Sequence, residues 1–320
     1  MQVAATRKIV VLGTGGTIAG TSSVAGANVG YTAGQIGVQQ LLAAVPALAQ
    51  ASPCNLEAEQ IAQIDSKDMD FSVWARLAGR CAQHLADPLV AGIVITHGTD
   101  TLEETAWLLR ELLAASRPVV LTCAMRPATA LVPDGPQNLL DAVTLAAEPS
   151  ACGVLMVAAG VVHGARAVSK VHPLRLDAFA SGDEGSLGWV EAGRVRWAHG
   201  RAPAVTAPRH AALLPGLATA AWPRVEIVHS HAGADGCVVD WLVDKGVRGI
   251  VVAATGNGTL HRALEAALAR AVAAGVAVRA ASRCPEGRML AIEGAPWRDA
   301  EGLSPVKARI SLMLELMDGA

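Results

Sequence analysis

Short apolar runs alternate along the first half of the chain with longer segments in which apolar positions return every three or four residues. KIVVL (8–12), NLEAEQIAQI (55–64), AGIVIT (91–96), PVVLTC (118–123) and GVLMVAAG (153–160) read as strands, bounded by turn residues. VQQLLAAV (38–45), FSVWARLAGRCAQHLA (71–86), TLEETAWLLRELLAA (101–115) and PQNLLDAVTLAAE (136–148) carry the helical period. This alternation predicts parallel βαβ units with helices on both faces of the sheet. LGWVEAGRVRW (187–197) breaks the rhythm as a hairpin turning at Ala192 and Gly193.

Residues 199–221 hold three prolines and no clear period, and are expected to be a linker laid along the surface. A second set follows in RVEIVH (224–229), VVDWLVDK (238–245), GIVVAA (249–254), LHRALEAALARAVAAG (260–275), VAVRAAS (276–282) and VKARISLMLELM (306–317). The expected architecture is therefore two α/β domains. The larger N-terminal one spans 1–198, with a mostly parallel sheet and flanking helices, and the smaller C-terminal one spans 222–320.

One junction stands out. In ITHGTDTLEET (95–105) a hydroxyl and a carboxylate, Thr99 and Asp100, sit where the apolar run ends. Thr101 and Glu104 have capping-box spacing, so a helix is expected to start there. Thr99 and Asp100 then lie at the carboxyl end of a strand, the edge of an open α/β sheet where ligands bind.

Composition narrows the partners. With 320 residues, 52% of them apolar, and 32 Gly and 16 Pro, the chain has ample core and turn material without a disordered bias. A formal charge of -2 gives no electrostatic reason to expect nucleic acid or an anionic membrane, which leaves a small molecule. No segment approaches the length of a membrane span. The six cysteines show no C-x-x-C pair and no regular spacing, so reduced, buried thiols are expected rather than zinc or disulfides. IVVL after Arg7 and Lys8 is too short for a signal peptide core, which favours the cytoplasm, or the periplasm for a chain whose leader has been removed.

Several short stretches carry candidate chemistry. VVLGTGGTIAG (10–20) puts glycines and the hydroxyls of Thr14 and Thr17 directly after the first strand. Counted from Gly13, the third glycine of a dinucleotide fingerprint falls on Ile18, and no lysine follows Gly20 as a phosphate loop requires. The small-residue stretch after it suits a mobile lid, and Tyr31, the single tyrosine of the chain, lies within it. Ser66, Lys67 and Asp68 in IDSKDM read either as caps or as ligand groups. Lys170 in RAVSKVH is either a surface charge or, if desolvated beside Thr99 and Asp100, a proton acceptor. TGNG (255–258) is a turn that also offers Asn257. His229 and His231 lack a partner to complete a metal site, and neither G-x-S-x-G nor H-E-x-x-H occurs.

GTGGTIAG, YTAGQIG, IDSKDM, ITHGTDTLEETA, AMRPATALVPDGPQNLLDAV, RAVSKVH and TGNGTL follow one another in the order and spacing of the bacterial L-asparaginases. The chain resembles this family, which includes the glutaminase-asparaginases, over nearly its whole length. The resemblance implies hydrolysis of L-asparagine to L-aspartate and ammonia, with L-glutamine as a possible second substrate and no metal or organic cofactor. It makes Thr17 the nucleophile with Tyr31 beside it, and Thr99, Asp100 and Lys170 the second hydroxyl with its charged partners. It gives Ser66 and Asp100 the substrate's α-carboxylate and α-amino groups. Asn257 becomes a contribution from a neighbouring subunit, in a homotetramer built of intimate dimers.

The chain departs from the pattern at Lys67, where secreted members commonly carry glutamine. Lys67 either turns outward or weakens recognition of the α-amino group. SRCPEGRMLAIEGAPW (282–297) is shorter than its counterpart there, with Glu286 as a poor candidate for a bridging glutamate. The rival expectations are a glutamine-deamidating subunit that feeds ammonia to a partner enzyme, and a small amino-acid-binding protein without hydrolysis.

Overall fold

The computed structural model describes residues 6–24, 26–200, 202–204, 206–290 and 296–319. It divides into a first compact unit up to Ala218 and a second from Thr219. In chain order the first unit contains β1 (Lys8–Gly15), α1 (Val38–Ala43), α2 (Leu48–Ala51), β2 (Asn55–Ile64), α3 (Phe71–Ala86), β3 (Val90–Thr96), α4 (Leu102–Leu112) and β4 (Val119–Thr122). It continues through α5 (Gly135–Ala147), β5 (Val154–Ala158), β6 (Val161–Gly164), β7 (Ser169–Lys170), β8 (Phe179–Ala180), β9 (Gly188–Glu191) and β10 (Arg194–Trp197).

Five of these strands form a parallel sheet in the order β2-β1-β3-β4-β5, extended by antiparallel β6, β9 and β10. The expectation of a mostly parallel sheet with flanking helices holds. Ile9, Val11, Val94 and Val120 face α5, whose Leu139, Ala142, Val143 and Ala146 fill the same cluster. The residues between them, Val10, Leu12, Ile93, Ile95 and Leu121, are equally buried, while α3 and α4 pack against β2, β3 and β5. A strand covered on both faces has no polar side to present, which is why these runs read as continuously apolar rather than alternating.

Chain order reverses direction across the sheet between β1 and β3, since β1 is followed outward by β2 and β3 by β4. The loops leaving β1 and β3 therefore diverge to opposite sides and leave a crevice at their carboxyl ends. Register aligns the two ends, with Gly13 of β1 opposite Thr96 of β3. The hairpin β9–β10 turns at Ala192 and Gly193, both with positive φ (48° and 74°), as a two-residue turn with the native strand twist requires.

The second unit holds β11 (Val225–His229), α6 (Cys237–Asp244), β12 (Gly249–Ala254), α7 (Arg262–Ala273), β13 (Ala277–Ser282), β14 (Arg298–Asp299) and α8 (Pro305–Asp318). Its four strands are parallel in the order β11-β12-β13-β14, with α6 and α7 sharing one apolar cluster with the sheet.

Three local expectations are revised. Thr101 begins α4, but its hydroxyl donates to the Ser66 carbonyl at 2.8 Å instead of closing a capping box with Glu104. Cys81, Cys123 and Cys152 are buried, yet Cys237 at the start of α6 and Cys284 in the loop after β13 are exposed. The segment 199–221 is not bare linker, because a 3-10 helix over Ala211–Gly216 packs on α3 and α4 and the His210 amide donates to the Glu111 carbonyl at 2.9 Å. No helix among the described residues is long and apolar enough to cross a membrane.

Buried Asn138 on α5 joins two strand ends, its Nδ2 donating to Cys123 O and its Oδ1 accepting from Ala159 N, each at 2.9 Å. Asn138→Ala leaves the Cys123 carbonyl unpaired in the interior, a loss of about 1–3 kcal/mol, and frees the Ala159 N–H at the less buried end. The urea midpoint of the variant is expected to fall accordingly, with the m-value unchanged.

Candidate active site

The carboxyl ends of β2, β1, β3 and β4 line up along one edge, and each delivers one part of the site. After β1 the backbone turns through Gly15 and Gly16, with φ of 104° and 80°, and enters a 3-10 turn that begins with Thr17. After β3 comes His97-Gly98-Thr99-Asp100. Gly16 and Gly98 meet backbone to backbone, and a Cβ on Gly16 would overlap the Gly98 backbone, while one on Gly98 would press against Gly16 Cα. A Cβ on Gly98 would also run into Ser66 Oγ, the first residue after the β2 loop. Closeness of this kind is open only to glycine.

Hydrogen bonds fasten the three turns. Asp100 N–H donates to Ser66 Oγ at 3.2 Å, Thr101 Oγ1 donates to Ser66 O, and Thr14 Oγ1 donates to Thr96 O at 2.9 Å. Behind them lies a buried polar chain of defined direction. Trp74 Nε1–H donates to Thr105 Oγ1 at 2.8 Å, and Thr105 donates to His97 Nε2 at 2.9 Å. His97 Nδ1–H ends the chain on Gly98 O at 2.7 Å. A carbonyl only accepts, so Nδ1 carries a proton, and burial keeps the ring neutral, which leaves Nε2 to accept from Thr105. Burial pushes the His97 imidazole down to about 4, opposed by the Gly98 carbonyl.

The cavity at this edge encloses about 260 Å³ and is lined by Thr17, Tyr31, Asp65, Ser66, Thr99, Asp100 and Lys170, with Asn28, Val29, Gly30, Met125, Pro173 and Leu174 completing its wall. Two hydroxyl pairs face it. Thr17 Oγ1 lies 2.7 Å from Tyr31 OH. Lys170 Nζ donates to Thr99 Oγ1 and to Asp100 Oδ1, both at 2.7 Å, with its side chain 18% exposed. The sequence separates these groups by up to 153 positions, and the fold brings six of the eight residues singled out for the site onto one cavity.

The other two lie elsewhere. Lys67 turns outward in the 3-10 turn Ser66–Asp68 and pairs with Asp68 on the surface, where that carboxylate holds its ammonium above the usual lysine range. Asn257 belongs to the second unit, where its exposed amide accepts from Leu290 N at 2.6 Å. Glu286 is exposed, and residues 291–295 of the shortened stretch lie outside those described.

Asp65 was not singled out from the sequence, yet it adds a second carboxylate to the wall. Met125 was missed as well. A signal for it existed, since it follows β4, the next strand end in the row. Pro173 and Leu174 follow Lys170 too closely for any periodicity to reveal them. Among the described residues, no group of three or more His, Cys, Asp or Glu is placed to hold a metal ion.

Comparison with known proteins adds family context. The chain matches the family model "Asparaginase, N-terminal" over residues 8–203 and the "Glutaminase/Asparaginase C-terminal domain" over residues 224–320. It is 38% identical to L-asparaginase 2 of Escherichia coli, covering 96% of this chain and 88% of that one. It is also 38% identical to a probable periplasmic L-asparaginase of Haemophilus influenzae, with the same coverage of 96% and 88%. A crystal structure of a probable cytoplasmic L-asparaginase from Campylobacter jejuni superposes with a TM-score of 0.88 at 37% identity, covering 97% of this chain and 95% of that one.

His97 and His163 are both buried and both driven down to about 4 by desolvation. Unfolded, each titrates near 6.5. Between these values the unfolded chain binds the extra protons, so their contribution to stability is complete above about pH 6.5 and is lost as pH falls toward 4. Urea titrations are expected to show stability decreasing across that window by up to about 3 kcal/mol per imidazole. His97→Gln is expected to reduce the slope by up to one proton. Lys67→Gln, by contrast, changes a side chain outside the cavity and is expected to leave KM within about fivefold of the parent, because a displaced surface pair is worth under ~1 kcal/mol.

Proposed function

The chain belongs to the asparaginase family and is an amidohydrolase, and on that premise we propose that it hydrolyses the side-chain amide of L-asparagine, with L-glutamine second. The observation that carries this reading is the convergence of two hydroxyls on one cavity, Thr17 against Tyr31 and Thr99 against Lys170.

A primary amide is a poor electrophile and threonine a weak nucleophile, so each step needs a proton acceptor in hydrogen-bond reach, typically worth ~10²–10⁴-fold. Thr17 Oγ1 attacks the amide carbon, with Tyr31 relaying the hydroxyl proton toward the leaving nitrogen. The C–N bond breaks, ammonia departs and a threonine ester of the acyl group remains. Water then attacks the ester with help from Thr99 and Lys170, aspartate leaves, and Thr17 regains its proton.

Charge on the tetrahedral oxygen falls to N–H groups of the turn around Thr99. The Asp100 N–H is already held by Ser66 Oγ, which leaves this role to its neighbours. A zwitterionic substrate needs one patch for each charge. Ser66 takes the α-carboxylate and Asp100 the α-ammonium, with Asp65 adding negative charge on the same wall. A binding protein would need the two charge patches but neither hydroxyl pair.

The same reading makes the protein a homotetramer in which Asn257 reaches a neighbouring subunit's site. A cytoplasmic location is proposed beside it, as named for the Campylobacter jejuni relative, while the Haemophilus influenzae relative is named periplasmic.

Ammonia release from L-asparagine and L-glutamine, measured across substrate concentration, tests the proposal. Thr17→Ala and Thr99→Ala are each expected to lower kcat by ~10³-fold or more, in line with loss of a nucleophile or its proton acceptor. No release from either amide by the folded parent protein would overturn it.

A further inference from the structure

Lys170 sits on β7, a strand of two residues paired only with the equally short β8. A ladder of this length gives a lysine little support, and a functional group has to be held to within about 0.5 Å of its working geometry. A second restraint is present. The carboxylate of Glu103, in the first turn of α4, accepts Lys170 N–H at 3.1 Å on Oε1 and the Ser169 hydroxyl at 3.0 Å on Oε2. The same lysine is held at its other end by Thr99 Oγ1 and Asp100 Oδ1. Thr99, Asp100 and Glu103 belong to one turn and the helix it opens, so a single element grips Lys170 by both backbone and ammonium.

We propose that Glu103 is a positioning residue for the hydrolytic reaction, a two-point clamp that fixes β7 so that Lys170 Nζ meets Thr99. The proposal rests on the reading that Lys170 serves amide hydrolysis. The requirement is geometric rather than electrostatic. A glutamine can accept the Lys170 amide on its oxygen and donate its NH₂ to Ser169 Oγ, which as a hydroxyl accepts equally well. An alanine can do neither, and it removes a charge that favours the start of α4 by only about 0.3–1 kcal/mol.

The test compares Glu103→Ala, Glu103→Gln and Ser169→Ala by steady-state ammonia release and by amide hydrogen exchange over the segment containing Lys170. A misplacement of about 1 Å costs on the order of 10²-fold. Glu103→Ala is therefore expected to lower kcat by roughly 10–100-fold with KM within about threefold, and to speed exchange at Lys170. Glu103→Gln should restore kcat to within about threefold and Ser169→Ala should lose less than Glu103→Ala.

Unchanged kcat and exchange in Glu103→Ala would overturn the clamp. So would a Glu103→Gln as impaired as Glu103→Ala, which would assign the effect to charge at the helix start. The exchange arm reads the hold on β7 by itself, so slower exchange in the parent than in Glu103→Ala with no ammonia released by the parent overturns the asparaginase reading and, with it, the catalytic part of the proposal, while unchanged exchange overturns the clamp whatever the activity.

Discussion

Everything in the site depends on two backbones touching. Gly16 at the end of β1 and Gly98 at the end of β3 meet without side chains, and Ser66 Oγ closes on the same point from β2. Any Cβ there would force the turns apart and with them Thr17, Thr99 and Ser66. The contact exists because β1 and β3 are adjacent parallel strands in register at Gly13 and Thr96, with the chain diverging to opposite sides beyond them. A crevice at such a switch point is a property of the sheet order. What makes this crevice narrow enough for two hydroxyls to face one cavity is the choice of glycine at the two closest positions.

The groups around that contact are held from behind with little freedom. The polar chain from Trp74 through Thr105 and His97 to Gly98 O has one possible direction, so the imidazole that precedes Thr99 is fixed in orientation and tautomer as well as in place. Lys170 is gripped at both ends by the turn it serves. Only Tyr31 and the residues around it come from a loop without a sheet behind it, tied down by the Thr21–Thr32 bridge and by Ser22 N–H to Thr129 Oγ1. A sheet-borne floor and a loop-borne Tyr31 suit a site that opens to admit a ligand and closes over it.

Much of this was legible along the chain. The strands with two buried faces announced themselves as β-branched runs, the amphipathic helices by their period, and the hairpin by Ala192-Gly193. Thr17, Tyr31, Ser66, Thr99, Asp100 and Lys170 were singled out together because their motifs follow the order and spacing of one family; taken alone, the serine also reads as a cap and the lysine as a surface charge. The misreadings share one cause. Thr101 and Glu104 have the spacing of a capping box, but spacing cannot tell that a neighbouring loop will claim the Thr101 hydroxyl. Lys67 and Asp65 flank the same serine, and a 3-10 turn, invisible to periodicity, sends the lysine outward and the aspartate to the cavity. Cys237 and Cys284 ended at the surface because each sits in a turn or at a helix start, not on a buried stripe.

By itself the sequence determined the order and type of the longer elements, though not α2 or the short strands β6, β7, β8 and β14, and the division into two α/β sets. It also determined which residues stood at strand ends, since these follow from local period, burial and turn chemistry. The tertiary structure alone decided which strand ends became neighbours, how closely Gly16 approached Gly98, and where Lys170 fell relative to Thr99 and Glu103. These are distances between segments 34 to 82 residues apart, and no local rule specifies them. They arise when the sheet closes around a common core and the crossover connections choose their sides.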